Sequence, residues 1–222
     1  MKIFSDRHEA GQRLAPLVQR FAGADTIVLG LPRGGVPVAY EVARALAAPL
    51  DVLVVRKIGA PFQPELGLGA ITEGGGRFVD EQMCAALGVE PEEVDAIAAR
   101  EAVEIDRRVR RYRNGRPLPS LAGKTVILVD DGVATGGTAR AAIAALRALG
   151  PKQIVFAVPV AAVQSVEVLR DAADELVAVE VPEDLAAIGA WYRDFHQVDD
   201  AEVAAELARD NRAPRPSPSP TG

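Results

Sequence analysis

The sequence predicts an α/β fold with a central parallel sheet flanked by helices, and three observations predict it. Short continuous apolar runs at 26–30 (TIVLG), 125–129 (TVILV) and 153–160 (QIVFAVPV) read as strands buried on both faces. Segments with helical apolar spacing separate them, and that alternation builds a sheet covered on both sides. Two small-residue loops, LPRGG and DDGVATGGT, each follow such a strand. In a parallel sheet the carboxyl ends of the strands are where ligands bind.

Each element follows in order. Ala10, Leu14, Leu17, Val18 and Phe21 form the stripe of a first helix. Ser5 or Asp6 is placed to cap it, and Pro16 is expected to kink or end it. After the 26–30 strand, 36–48 reads as a helix with Pro37 in its first turn, where a missing N–H does no harm. DVLVV (51–55) is a second strand. The Gly-rich stretch 58–77 has little periodicity and reads as an interruption. Cys84 falls in a short apolar helix as a small hydrophobe. Ala98, Ala102, Ile105, Val109 and Tyr112 mark a helix over 91–113. A helix over 138–149 separates the 125–129 and 153–160 strands. ELVAVEV (175–181) is a further strand, and 199–211 a closing helix. APRPSPSPTG is Pro/Ser-rich and is predicted to be disordered. The expected organisation is one domain over 1–212, with the tail at 213–222.

Composition narrows the function. The chain has 222 residues, of which 49% are hydrophobic and 25% charged, an ordinary globular balance. No apolar run approaches the ~20 residues of a membrane helix, and the amino terminus is polar within five residues, without a signal-peptide pattern. The single Cys84 allows no internal disulfide, and a net charge of −6 argues against a nucleic-acid-binding surface. The expectation is a cytoplasmic enzyme or small-molecule binder, with no membrane or nucleic-acid partner.

The loop after 125–129 carries the chemistry. Gly132, Val133, Ala134, Thr135, Gly136, Gly137 and Thr138 offer backbone amides and hydroxyls leading into a helix N-terminus, an anion site. Gly132 and Gly137 have the spacing of a nucleotide P-loop, but Thr138 stands where that motif needs Lys. Asp130 and Asp131 would repel a bare phosphate. Carboxylates are acceptors only, so ribose hydroxyls, or a metal carrying them, suit the pair. The bland alternative, a strand-turn-helix with one capping Asp, leaves the second acid unexplained.

VILVDDGVATGGTA resembles the phosphoribosyl-pyrophosphate (PRPP) motif of the type I phosphoribosyltransferases. The resemblance implies that Asp130 and Asp131 hold the ribose hydroxyls while the loop wraps the 5-phosphate. LPRGGVPVAYEVA is similar to the family's pyrophosphate loop, with Arg33 as charged donor and Gly34 and Gly35 allowing close backbone approach. By similarity Lys57 is a second pyrophosphate ligand and Arg56 structural. LPRGGVPVA, ELGLGAI and GAWYRDF are similar to one phosphoribosyltransferase-like subgroup. ELGLGAI (65–71) then falls where the family has its flexible catalytic loop, and a small hood at about 182–198 caps the acceptor, with Leu185, Ile188 and Trp191 as candidates. Trp191 either stacks on the acceptor or anchors the hood.

The implied reaction is Mg²⁺-dependent phosphoribosyl transfer between PRPP and a nucleobase-like nitrogenous acceptor, with pyrophosphate as the other product. Mg²⁺ would arrive mainly with the substrate, with Asp130 and Asp131 as its protein ligands. Ala134 stands where several purine-specific members carry an acid, so Glu65 and Glu73 become general-base candidates. The alternatives are a non-catalytic PRPP or nucleotide-binding regulator and a PRPP-consuming hydrolase. A homodimer is compatible with the family. Seven arginines over 100–116 read as a solvated helix face or as a reach toward pyrophosphate. His8 and His196 show no metal spacing.

Overall fold

The computed structural model describes residues 3–210. In chain order its strands are β1 (Thr26–Gly30), β2 (Leu50–Val52), β3 (Val55–Ala60), β4 (Gln63–Thr72), β5 (Arg77–Val79), β6 (Thr125–Val129), β7 (Gln153–Val160) and β8 (Glu175–Glu180). Its helices are α1 (Arg7–Val18), α2 (Gly35–Leu46), α3 (Glu81–Leu87), α4 (Pro91–Arg113), α5 (Gly137–Arg147), α6 (Val163–Ala172) and α7 (Asp200–Asp210). Helix α6 was not anticipated.

Five strands form a parallel sheet in the order β2-β1-β6-β7-β8. Ile27 and Leu29 of β1 join Leu128 and Phe156 in the core beneath α5 and α6. Val28, Ile127 and Val155 point the other way, into the core shared with α1, α2 and α7. A strand packed on both faces needs apolar residues at every position, which is why these runs show no alternation. The chain leaves β1 for β2 on one side, whereas β6, β7 and β8 extend on the other. The order therefore reverses between β1 and β6, and a crevice opens at their carboxyl ends.

The remaining strands correct the reading of 51–77. The expected 51–55 strand divides at Leu53 and Val54, and β3 leaves to form a separate antiparallel sheet in the order β3-β4-β5. Residues 65–71 lie inside β4, paired on both sides over part of their length, not in an irregular loop. A Cβ on Gly59 would enter the backbone of Pro64, and one on Gly69 the backbone of Phe78. Close strand contact thus demands glycine, which erases the side-chain alternation that signals a half-buried strand.

Helix ends follow local chemistry. Asp6 caps α1 by accepting from the Glu9 N–H at 2.8 Å. Pro16 lies in the last turn of α1, which passes into a 3-10 turn at Gln19–Phe21 without a break earlier. Helix α4 begins at Pro91 behind a reciprocal Glu90/Glu93 capping box. Asp199 Oδ1 accepts from the N–H groups of Ala201 and Glu202 to start α7. Cys84 is buried in α3 as expected. Asn211 and the 213–222 tail lie outside the described residues. Among those described, no helix is long and apolar enough to cross a membrane.

Candidate functional site

Strands β1 and β6 end level, with Gly30 opposite Val129. The Leu31 N–H continues the ladder onto Val129 O at 2.8 Å, so the two following loops start side by side. The first loop, with a cis Pro32–Arg33 peptide, turns into α2. Gly35 presses against the end of β6: a Cβ there would meet Val129 O at 2.5 Å and Asp130 Cα at 2.8 Å. A Cβ on Gly34 would collide with the Asp131 carboxylate. The two glycines exist so that the loops can touch.

Asp130 and Asp131 are both half-buried. Asp130 Oδ1 accepts from the Asp131 N–H at 2.9 Å. Asp131 Oδ2 takes the Arg7 Nε–H at 2.8 Å, and its backbone carbonyl takes the Tyr192 hydroxyl at 2.6 Å. Burial, and next the charge of Asp131, push the Asp130 carboxyl well above the ordinary carboxylate range. Burial also raises Asp131, but the Arg7 guanidinium opposes the rise. Burial, followed by Asp131, raises the Tyr192 phenol.

The small-residue loop is divided. Val133 is buried and spends its amide on Val160 O at 2.9 Å, while its carbonyl takes the Ala162 N–H. It is a buried peg, and its amide is not available to a phosphate as its inclusion in the phosphate loop implied. Ala134 to Thr138 remain: Gly136, at φ 75°, is the N-cap of α5, and the first amides of a helix have no intrahelical partner. Thr135, Gly137 and Thr138 are exposed. With Lys57, Gly67 and Arg140 they border a cavity of about 300 Å³. Arg140 sits in the first turn of α5, where a cation opposes the helix dipole and an anion would offset it.

Arg33 and Lys57 border different cavities. Lys57 also borders a cavity of about 550 Å³ between the β3–β4 hairpin and α4. Arg33 lines a third, of about 340 Å³, with Arg7, Gly34 and residues 195–198. Among the described residues Arg33 makes no ion pair. Arg56 is structural, with its Nε 2.7 Å from Glu101 Oε2.

Residues 182–199 cross this edge and contain a 3-10 turn at Ile188–Trp191. Ile188 reaches Gly132, where a Cβ would lie 2.6 Å from its Cγ2. Trp191 packs with Ile188 against Phe4 and Tyr192, and its carbonyl takes the Ile3 and Phe4 N–H groups at 3.0 and 2.9 Å. Leu185 is half-buried.

Several other candidates are committed elsewhere. Glu73 is buried, accepts from the Val54 N–H at 3.1 Å and pairs with Arg113, so it is no general base at an open site. The side chain of Glu65 lies outside what is described. Most of the arginine run is spent on acids: Arg100 on Glu101, Arg107 and Arg108 on Glu104, Arg111 on Asp200, and Arg113 on Glu73 and Asp51. His8 lies 3.2 Å from Glu41, and His196 2.9 Å from Glu202. Among the described residues no group of three or more His, Cys, Asp or Glu forms a metal site. Two adjacent carboxylates suit an ion that keeps most of its ligands on substrate and water.

Arg7, Tyr192 and Arg140 were missed by sequence reasoning. Arg7 and Arg140 did carry a signal, since each is a cation in the first turn of a helix. Tyr192 carried none, because its partner is a backbone carbonyl.

Fold and site together define an α/β protein with a crevice at the switch point of a parallel sheet. The chain belongs to the phosphoribosyl transferase domain family, whose model matches residues 9–190. It is 46% identical over 212 residues to two Mycobacterium tuberculosis proteins, named "Putative phosphoribosyl transferase MT0597" and "Putative phosphoribosyl transferase Rv0571c". The match covers 96% of this chain and 48% of each relative, so the chain spans about half their length. The crystal structure of TT1426 from Thermus thermophilus is 46% identical, with a TM-score of 0.83 over 93% of this chain and 98% of that one.

Proposed function

We propose that the chain binds PRPP at the β1/β6 crevice and transfers its phosphoribosyl group to a nucleobase-like nitrogenous acceptor, releasing pyrophosphate. The observation that carries this reading is the junction of Asp130 and Asp131 with the exposed start of α5 across one loop. Paired acceptors face ribose hydroxyls, and the α5 amides face the 5-phosphate. Lys57 and Arg140 border the cavity at the start of α5, together with Asp80, which lies 3.5 Å from Arg140 and which an incoming phosphate would compete with for that cation. Arg33 stands in the first loop beside Gly34, which touches the Asp131 carboxylate, and would meet the departing diphosphate.

Asp130 and Asp131 would hold Mg²⁺ brought with the substrate, and the ion would neutralise charge on the departing diphosphate. Catalysis is otherwise positional and electrostatic. The acids fix the ribose as positive charge develops at its anomeric carbon, and segment 182–199 with the β3–β4 hairpin excludes water.

The test is incubation with PRPP, Mg²⁺ and a panel of bases, with pyrophosphate release followed by phosphorus NMR. Base-dependent release is expected. Base-independent release would make the protein a hydrolase, and binding without turnover a regulator. In the Asp130→Asn/Asp131→Asn variant, PRPP affinity should fall at least ~30-fold, since each charged hydrogen bond contributes ~1.5–3 kcal/mol. Unchanged calorimetric affinity would overturn the site.

A further inference from the structure

Arg7 lies in the first turn of α1, 124 residues from the acid it meets. Its side chain and that of Asp131 are only 7% and 14% exposed. Two of the three guanidinium nitrogens donate, and an aromatic ring lies against its carbon. Nε–H donates to Asp131 Oδ2 at 2.8 Å, Nη1–H donates to His196 O at 2.9 Å, and the plane lies 3.9 Å from the Phe195 ring centroid. Gly34 leaves the room, since a Cβ there would lie 3.3 Å from Arg7 Nε and collide with the Asp131 carboxylate.

We infer that Arg7 is a positioning residue of the crevice, fixing the Asp131 carboxylate in one orientation and tying it to the strap 193–198. The inference rests on the reading of the crevice as a ribose site. Three features support it. Arg7 engages one Asp131 oxygen, and among the described residues nothing bonds the other, which stays an acceptor. Tyr192 holds the backbone of the same acid at 2.6 Å, so main chain and side chain are fixed from two elements. Phe195 also packs on the 3-10 turn, where a Cβ on Gly189 would come within 2.7 Å of its Cδ1. A buried cation at a helix N-terminus opposes the dipole, so the favourable contacts must come from its partners. A planar fork can serve a carboxylate, a carbonyl and an aromatic face together, whereas a lysine can serve only one or two of them.

Wild type, Arg7→Met and Arg7→Lys separate the outcomes. In the unliganded proteins, three-bond NMR couplings report the χ1 of Asp131. One rotamer is expected in wild type, averaging in Arg7→Met, and a largely retained rotamer in Arg7→Lys. In calorimetry, Arg7→Met should bind PRPP about 10-fold more weakly and Arg7→Lys about 3-fold, with inorganic phosphate affinity unchanged in both, on the scale of one charged hydrogen bond. A fixed Asp131 rotamer in Arg7→Met, or equal losses for both ligands, would overturn the inference. If Arg7→Met does not fold, the Arg7→Lys comparison of PRPP with inorganic phosphate decides in the same way. If wild type binds no PRPP, the ribose reading fails by itself, and the rotamer measurement still judges Arg7.

Discussion

The parallel and antiparallel sheets use glycine for opposite ends. At the mouth of the parallel sheet, Gly34 and Gly35 stand outside the strands and bring two loops into contact. In the β3-β4-β5 sheet, Gly59, Gly67 and Gly69 stand inside the strands. The first arrangement leaves the strands' apolar runs intact and concentrates the unusual residues where a ligand would sit. The second removes side chains from the strands themselves, so their pairing rests on backbone contact. A substitution at the mouth should therefore disturb fold and site together, while one in the hairpin should act locally.

The largest expected effect is that of Gly35→Ala. The added Cβ meets two backbone groups, Val129 O and Asp130 Cα, that cannot move without shifting β6. Overpacking of this kind costs ~1–3 kcal/mol. Urea denaturation should show that loss, and PRPP binding should fall with it; wild-type stability would break the comparison.

Asp130→Asn should do the reverse at the same mouth, raising stability by roughly 0.5–2 kcal/mol at neutral pH, as relief of a functional site often does. The sign follows from linkage. The folded protein binds the Asp130 proton more tightly than the unfolded chain, so wild-type stability falls as pH rises from the ordinary carboxylate range toward the raised folded value. The variant lacks that titration, and the Asn oxygen can keep the bond from the Asp131 N–H. Melting curves from acid to neutral pH should diverge as pH increases. A gap that closes instead would show that Asp130 is not destabilised by its surroundings.

Gly67→Ala should be the mildest. Its Cβ would touch only the Lys57 side chain, with Cδ nearest at 3.4 Å. A change within ~0.5 kcal/mol is expected, as for substitutions away from packed features. A larger loss would mean that β4 is held as tightly as the mouth.

The same contrast explains what was legible. β1, β6 and β7 could be read from apolar runs because burial on two faces leaves no other composition. The acid pair and loop were legible because their residue types conflict with a simple helix cap. The antiparallel sheet was not, since glycine carries no face preference. Val133 looked like a loop residue, yet its amide and carbonyl pair with the end of β7. For Arg7 and Tyr192 the obstacle was separation: their partner Asp131 lies 124 and 61 residues away, and no local pattern names it.

That last feature bears on synthesis. Residues 3–5 form backbone hydrogen bonds with 191–194, and Arg7 meets the carbonyl of His196 across a separation of 189 residues. At translation rates of about 5–20 residues per second, the first turn of α1 waits roughly 10–40 s for that partner to emerge. The order of assembly is therefore staggered: α1 is made long before its partner, and the crevice is completed only once residues 191–196 have emerged.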